Sequence, residues 1–247
     1  MKPTTLYGIH YSPWTIRARW ALKHHGIDIV YREHTPLLGE ANLRWQAHKA
    51  GLRGRMSVPL LIHADGACSD SWSIMCYADQ VGTGKSLNTN DIHIASWANR
   101  LEPAFDAGRR RLTRAMLKDK DALMEAGASG MPRWLTGSAR PAAAMAARFI
   151  ARKYGFNPDG TDNISVLTGG LDLVREALAG KPTIHDTFGA ADILGASLVG
   201  SIAPHESVSI GHAMRRTWVS PELTDAYSDL VKWRDDLFGE AGLSAGW

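Results

Sequence analysis

The sequence predicts an α/β domain at the N-terminus followed by an all-helical region. Short apolar and β-branched runs alternate with helical patterns as far as residue 82. From residue 89 onward, apolar residues recur at spacings of three and four, which is the period of one helix face. The predicted domains are therefore residues 1–82 and 89–247, with a flexible, polar linker at 83–88.

The N-terminal domain contains four predicted strands and three predicted helices. Pro13 suits the first position of a helix, and Gly26 is typical of the residue that follows a helix end. A proline lies near the start of the third strand, a position where the missing backbone N–H is tolerated. The strands are predicted at 6–9, 27–31, 57–62 and 67–68, and the helices at 13–25, at 43–50 and directly after Asp70-Ser71.

The second region is predicted to be a helical bundle. Its helices cover 94–115, 142–154, 164–178, 190–199 and 223–237, and residues 126–141 are expected to be irregular. Pro103 is expected to kink the first of these helices. The segment 190–199 is almost wholly apolar, so it should lie in the core. Four arginines on the long helix predict a solvated face, or alternatively a surface that attracts anionic substrates: Arg109, Arg110, Arg111 and Arg114.

Composition excludes several classes of partner. The 28 basic and 25 acidic side chains leave a net charge of +3, too small to favour nucleic acid. No apolar stretch approaches the roughly 20 residues that span a bilayer, and residues 1–20 contain no secretory signal pattern. The two cysteines, Cys68 and Cys76, fit a reducing compartment and are expected to be buried small hydrophobic groups rather than redox centres. We therefore expect a cytoplasmic protein without a membrane partner. The histidines show no metal-ligand spacing, so no metal is expected.

Ser12 is the strongest candidate for chemistry. It stands at the N-cap position of the first predicted helix, directly before Pro13. The free N–H groups and the positive end of that helix favour an anion placed over Ser12. If the anion is a thiolate, the chain performs thiol chemistry; the alternative is that Ser12 only caps its own helix.

Three phrases in a fixed order resemble the glutathione transferase family. They are Ser12-Pro13-Trp14, then Val58-Pro59, then Asp70-Ser71-Trp72-Ser73-Ile74, and an all-helical region follows them. The resemblance implies a thioredoxin-like domain over residues 1–82 and the family's helical domain after it. The segment Ala21-Leu22-Lys23-His24-His25-Gly26-Ile27-Asp28 is also similar to bacterial β-etherase-like members, which cleave aryl ethers with glutathione.

The resemblance implies glutathione as co-substrate and gives each phrase a role. Ser12 would stabilise the thiolate, and the main chain of Val58 would pair with the cysteine of the tripeptide. The family carries a cis bond before the proline that corresponds to Pro59. Asp70 and Ser71 would hold the zwitterionic end, the carboxylate of Asp70 facing the ammonium and Ser71 facing the carboxylate.

Other positions stay open. Arg55, or alternatively Arg53, would meet the remaining carboxylate of glutathione, although the loop before Val58 is longer than the family's. Tyr7 or Tyr11 could replace Ser12, since some branches use a tyrosine hydroxyl. Because position 12 is not a cysteine, branches that form a mixed disulfide with glutathione are disfavoured.

The second substrate is expected to be a small hydrophobic electrophile, bound between the domains above Ser12. Tyr11, Trp14 and Phe105 are the candidate walls of its pocket. The predicted function is transfer of glutathione to an apolar or aromatic electrophile. Glutathione-dependent ether cleavage or dehalogenation, or a non-catalytic binding module, are the alternatives, and the resemblance implies a homodimer.

One motif in the helical region has a structural role. Gly189-Ala190-Ala191-Asp192 resembles the helix-capping segment of the same family. Asp192 is expected to accept hydrogen bonds from N–H groups at the start of its own helix, so its role is in folding.

Overall fold

The structure is a computed structural model of the 247-residue chain, and it describes residues 3–128 and 139–243. The strands are β1 (Thr5–Gly8), β2 (Val30–Glu33), β3 (Leu60–His63) and β4 (Gly66–Cys68). The helices are α1 (Pro13–His24), α2 (Glu40–Lys49), α3 (Ser71–Val81), α4 (Ile92–Lys118), α5 (Lys120–Ala128), α6 (Ala139–Lys153), α7 (Ile164–Leu178), α8 (Ala190–Val199), α9 (His212–Trp218), α10 (Pro221–Ala226) and α11 (Ser228–Glu240). The predicted fold class, a thioredoxin-like α/β region followed by helices, is confirmed.

The four strands form one mixed sheet in the order β2-β1-β3-β4. Strand β1 pairs in parallel with β2, placing Gly8 opposite Glu33, and antiparallel with β3, placing Tyr7 opposite Leu60. The ends of β1 and β2 and the start of β3 therefore meet at one edge of the sheet. Strand β2 begins three residues later than predicted because the amide of Ile27 donates to the carbonyl of Leu22 at 2.9 Å and closes α1.

Helices cover both faces of this sheet. Helices α1 and α3 pack against each other, and Gly8 lies under α1 so closely that a Cβ there would stand 2.5 Å from Thr15. On the other face, Leu43 of α2 packs with Leu60, and the ring of Tyr7 lies against that cluster. The alternation of β1 thus directs Gly8 toward α1 and Tyr7 toward α2.

The segment predicted as a linker is held by one carboxylate. Asp79 of α3 accepts hydrogen bonds from the amides of Leu87 at 2.7 Å and Thr89 at 3.0 Å, and from the hydroxyl of Ser86 at 3.2 Å. The carbonyl of Leu87 then accepts from the amide of Ala190 at 2.8 Å. These bonds tie residues 86–89 to α3 and to the start of α8; the domain limits at 82 and 89 stay a prediction.

Two compact units make up the described chain. One comprises Met1–Leu101 and Glu176–Ser197, and the other comprises Glu102–Arg175 and Leu198–Trp247. In the first unit, the carboxylate of Asp192 is fully buried and accepts from the amides of Gly189 and Ile184, each at 2.8 Å. The predicted capping role of Asp192 is therefore confirmed.

The second unit contains buried arginines that the sequence predicted to be solvated. Arg111 is 9% exposed and donates to the carbonyls of Ser201 and Trp218. Arg114 is 6% exposed and donates to the carbonyl of Asn157 at 2.8 Å. The prediction of a solvated face is wrong for these two residues, because a guanidinium offers five donors that can each bind a main-chain carbonyl inside the protein.

Three further predictions about helices need correction. The stretch 126–141 was expected to be irregular, but its first residues belong to α5, which ends at Ala128, and its last residues belong to α6, which begins at Ala139. Residues 129–138 lie outside the described residues. The predicted last helix is two helices, since the backbone of Tyr227, with φ −119°, leaves the helical region between them. Helices α5 and α9 were not predicted. Within the described ranges, no helix is long and apolar enough to cross a membrane.

Candidate functional site

Ser12 stands where β1 passes into α1, and its hydroxyl does not cap the helix. The backbone of Ser12 is extended, with φ −69° and ψ 130°, and its side chain makes no capping hydrogen bond. The turn is fixed instead by the main chain, because the amide of Ser12 donates to Ile9 at 2.8 Å and its carbonyl accepts from Ile16 at 2.9 Å. The half-buried hydroxyl is thus available to a ligand at the positive end of a 12-residue helix.

Asp70 and Ser71 form the start of α3, beside α1. Asp70 is the N-cap, and its carboxylate accepts from the amide of Ser73 at 2.8 Å and from the hydroxyl of Ser73 at 2.6 Å. Since Asp70 is exposed, its remaining lone pairs face solvent and could accept from a ligand ammonium. Capping and ligand binding are therefore compatible in this carboxylate.

A buried arginine that sequence reasoning missed connects the two helices. The Nε of Arg17 donates to the Oγ of Ser71 at 2.7 Å, and the two residues are only 3% and 2% exposed. The bond leaves the hydroxyl proton of Ser71 free to be donated elsewhere. Arg17 follows Ile16 on the buried face of α1, and an arginine on a predicted core face was the signal that could have identified it.

Val58 and Pro59 lie at the same edge of the sheet as Ser12. The bond between them is cis, as the resemblance implied. Because Tyr7 is opposite Leu60 in this antiparallel pair, Pro59 falls level with Gly8, the last residue of β1, and Val58 lies just beyond it. The structure therefore brings Ser12, Val58, Asp70 and Ser71 to one unit, on the edge formed by β1, β3 and the start of α3.

The two tyrosines near Ser12 have different surroundings. Tyr7 packs on the α2 face of the sheet, whereas Ser12 directly precedes α1, which lies on the opposite face. Burial, with the carboxylate of Glu33 nearby, raises the pKa of Tyr11 to about 12. Tyr11 is therefore a neutral hydroxyl over the physiological range, and its ring meets that of His10 edge-on with centroids 4.9 Å apart.

The remaining predicted residues are more dispersed. Trp14 lies in the first turn of α1, with its ring centroid 5.8 Å from the guanidinium carbon of Arg17. Phe105 belongs to the other compact unit and is 1% exposed. Arg53 donates to the carbonyls of His48 at 3.2 Å and Leu52 at 3.1 Å, so it closes the end of α2.

Arg55 is exposed on the loop that leads to Val58, and its role toward a carboxylate stays a prediction. Both cysteines are free and half-buried, and burial raises the pKa of each thiol, which disfavours reactive thiolates. Over residues 3–128 and 139–243, no group of three or more histidine, cysteine, aspartate or glutamate side chains could hold a metal ion.

Comparison with known proteins agrees with this geometry. Residues 6–85 match the family model described as the N-terminal domain of glutathione S-transferase. A protein of Solanum tuberosum named "probable glutathione S-transferase" is 31% identical over 96 residues, which are 37% of this chain and 40% of the potato protein.

Two solved structures share the fold along the chain. A glutathione S-transferase of Methylobacterium radiotolerans, in complex with glutathione sulfonate, has a TM-score of 0.58 and 15% identity, covering 100% of this chain and 97% of that one. Glutathione S-transferase I from maize, in complex with an atrazine glutathione conjugate, has a TM-score of 0.52 and 16% identity, covering 98% of each chain.

Proposed function

We propose that the chain binds glutathione and joins the sulfur of the intact tripeptide to an electrophilic carbon, because residues 6–85 match the family model of the glutathione S-transferase N-terminal domain. The observation that carries the proposal is the hydroxyl of Ser12, which stands at the N-terminus of α1 and makes no bond to its own helix. A donor held in this position can stabilise a sulfur anion better than a neutral thiol.

The energy required is of the size that this geometry can supply. A free thiol has a pKa near 8.5, so only about 3% is thiolate at pH 7. Lowering that pKa by about two units takes roughly 2.7 kcal/mol. A hydrogen bond to a charged group contributes about 1.5–3 kcal/mol and a helix N-terminus about 0.3–1 kcal/mol, so Ser12 and α1 together suffice.

The proposed binding mode uses the edge described above. The main chain of Val58 pairs with the cysteine of glutathione, while Ser71 and Asp70 meet the carboxylate and the ammonium of the zwitterionic end. Arg55 is the proposed partner of the second carboxylate. Arg17 positions the hydroxyl of Ser71 through their 2.7 Å hydrogen bond.

The proposed reaction is a displacement at an apolar or aromatic electrophile. The electron pair of the thiolate forms the carbon–sulfur bond, the leaving group departs with its own pair, and the thiol proton passes to solvent. Tyr11 and Trp14 are the proposed walls from the N-terminal unit, and Phe105 stays a prediction for the other. Rate enhancement then comes from stabilising the thiolate and from holding both reactants together.

The test is glutathione-dependent conjugation of 1-chloro-2,4-dinitrobenzene by the native chain and by Ser12→Ala. We expect kcat/KM to fall roughly 10- to 100-fold, the equivalent of one charge-assisted hydrogen bond, while the Kd of glutathione changes little. Ser228→Ala, an exposed serine at the start of α11, is the matched control and should match the native chain.

Two outcomes would reject the proposal. Glutathione bound without turnover of any electrophile in a panel of aryl halides, haloalkanes and aryl ethers would leave a non-catalytic binding module. Full activity in Ser12→Ala would remove the proposed role of Ser12. Activity confined to the aryl ethers or haloalkanes would replace general conjugation by ether cleavage or dehalogenation.

A further inference from the structure

Ser12 closes a tight turn that joins the end of β1 to the start of α1. The amide of Ser12 donates to the carbonyl of Ile9 at 2.8 Å, so His10 and Tyr11 are the central residues of a hydrogen-bonded β-turn. We call it the 9–12 turn. Where the hydroxyl of Ser12 lies over the helix end therefore depends on how this turn is held.

The residues that enter the 9–12 turn are fixed by the neighbouring elements. The amide of Ile9 donates to the Oγ1 of Thr15 in α1 at 3.2 Å. The carbonyl of Gly8 accepts from the amide of His34 at 2.7 Å, at the end of the ladder between β1 and β2. These two bonds hold the main chain that leads into the turn.

A carboxylate from β2 holds the centre of the turn. The Oε1 of Glu33 accepts from the amide of His10 at 3.4 Å and lies 3.0 Å from the Nδ1 of the same residue. Since Glu33 stands opposite Gly8 in the register of the sheet, its side chain reaches along β1 to a residue two positions further on. One carboxylate thus meets both the main chain and the ring of His10, which restrains the turn next to Ser12.

Glu33 is itself held in place by a neighbour in β2. Its Oε2 accepts from the hydroxyl of Tyr31 at 2.8 Å. Burial, with the carboxylate of Glu33 nearby, raises the pKa of Tyr31, so this hydroxyl keeps its proton and remains a donor. The side chain of Glu33 is 45% exposed, so the effect of removing it should be modest in size.

We propose that Glu33 is a positioning residue for the reaction: by holding His10, it fixes the place at which the hydroxyl of Ser12 meets the sulfur of glutathione. This assignment rests on the proposed function, because it requires a thiolate over Ser12. Displacing a group by about 1 Å can slow a reaction up to roughly 100-fold, so a loosened turn should have a measurable effect on the rate.

Two replacements of Glu33 separate hydrogen bonding from charge. Glu33→Ala removes the acceptor for His10, whereas Glu33→Gln removes the charge and keeps an amide oxygen that can accept in its place. With 1-chloro-2,4-dinitrobenzene, we expect kcat to fall roughly three- to tenfold in Glu33→Ala, with the KM of glutathione nearly unchanged, and Glu33→Gln to recover most of that loss. Glu176→Ala, at an exposed position of α7, is the matched control and should keep the native kcat.

The ionisation of bound glutathione distinguishes positioning from a direct effect of charge. We expect the pKa of the bound thiol, read from its ultraviolet thiolate band, to rise by about 0.5–1 unit in Glu33→Ala, because the bond from Ser12 to the sulfur weakens. Removing a nearby negative charge would instead lower that pKa. A lowered pKa, or losses of kcat that are equal in Glu33→Ala and Glu33→Gln, would overturn the assignment.

A double-mutant cycle tests whether Glu33 acts through His10. His10→Phe keeps an aromatic ring beside Tyr11, whose ring centroid lies 4.9 Å from that of His10, but it has no Nδ1. We expect the double variant of Glu33→Ala and His10→Phe to be little slower than Glu33→Ala alone. Losses of kcat that multiply in the double variant would show two independent effects and reject the assignment.

The outcomes separate this assignment from the proposed function. If the native chain is active and Ser12→Ala impairs it, but Glu33→Ala matches the native chain, the assignment alone is wrong. If the native chain neither conjugates an electrophile nor lowers the pKa of bound glutathione, the proposed function fails and the assignment fails with it. Circular dichroism at the assay temperature checks that each variant is folded, and if Glu33→Ala is not, His10→Phe should show the same fall in kcat.

Discussion

Removing the guanidinium of Arg17 should uncouple α1 from α3 at the proposed glutathione site. The Nε of Arg17 lies 2.7 Å from the Oγ of Ser71, and both residues are at least 97% buried. A hydrogen bond from a charged group contributes about 1.5–3 kcal/mol, with little loss to solvent at this depth. The coupling energy between Arg17→Met and Ser71→Ala should therefore fall in the same range.

The assay is a double-mutant cycle, read in urea unfolding and in calorimetric titration with glutathione. We expect Arg17→Met alone to lower the free energy of unfolding by about 2 kcal/mol and to raise the Kd of glutathione roughly tenfold, because the hydroxyl of Ser71 loses its fixed orientation. The same cycle with Arg19→Met provides a control, since Arg19 stacks over Tyr31, with its guanidinium carbon 4.9 Å from the ring centroid. A coupling energy below about 0.3 kcal/mol, within the scatter for independent sites, would refute the reasoning.

Three further predictions concern stability. Asp192→Ala should lower the free energy of unfolding in urea by roughly 2–4 kcal/mol, because two buried amides lose their acceptor. Gly170→Ala should lower the free energy of unfolding by about 1–3 kcal/mol, since the new Cβ would stand 2.2 Å from the Cβ of Ala104. The new Cβ of Gly169→Ala would meet nothing within 4 Å, so this variant should gain up to about 1 kcal/mol of stability. Burial, with His24 alongside, lowers the pKa of His25. The unfolded chain therefore binds a proton more readily than the folded chain, and the free energy of unfolding should fall as the pH drops below about 6.5. His25→Asn should show a flatter pH dependence of thermal unfolding.

Each of these has its own control and contrary outcome. Asp186→Ala, at an exposed position before the same helix, should leave the unfolding midpoint unchanged, and equal effects at the two aspartates would contradict the capping account. The two neighbouring glycines control for one another, and shifts of the same sign would contradict the packing argument. For His25, a stability difference from His25→Asn that stays constant between pH 7.5 and 5.5 would contradict its lowered pKa.

Features set by local rules could be predicted from the sequence. Pro13 and Gly26 mark the two ends of α1, and Asp70 marks the start of α3, because each acts on the few residues beside it. The capping bond of Asp192 to Gly189 follows from the same kind of local pattern. The cis bond at Val58-Pro59 was expected from the resemblance alone.

Features that depend on distant partners could not be predicted. The bond of Arg17 to Ser71 joins residues 54 positions apart, and the carboxylate of Glu125 accepts from the amides at the start of α9, 88 positions later. Charge alone also gives the wrong burial, since Arg111 looks like a surface residue in the sequence but is buried against main-chain carbonyls. In each case a buried or half-buried charged group finds its partner only after the chain has folded.

The ionisation of bound glutathione tests the central claim most directly. Ultraviolet absorption of the thiolate, followed against pH with the tripeptide bound, gives the pKa of its sulfur in the native chain and in Ser12→Ala. We predict a native value about two units below the ordinary 8.5 and a rise of roughly one to two units in Ser12→Ala, the equivalent of one charge-assisted hydrogen bond. A bound thiol that titrates near 8.5 in the native chain, or one whose pKa does not move when Ser12 is replaced, would contradict the account.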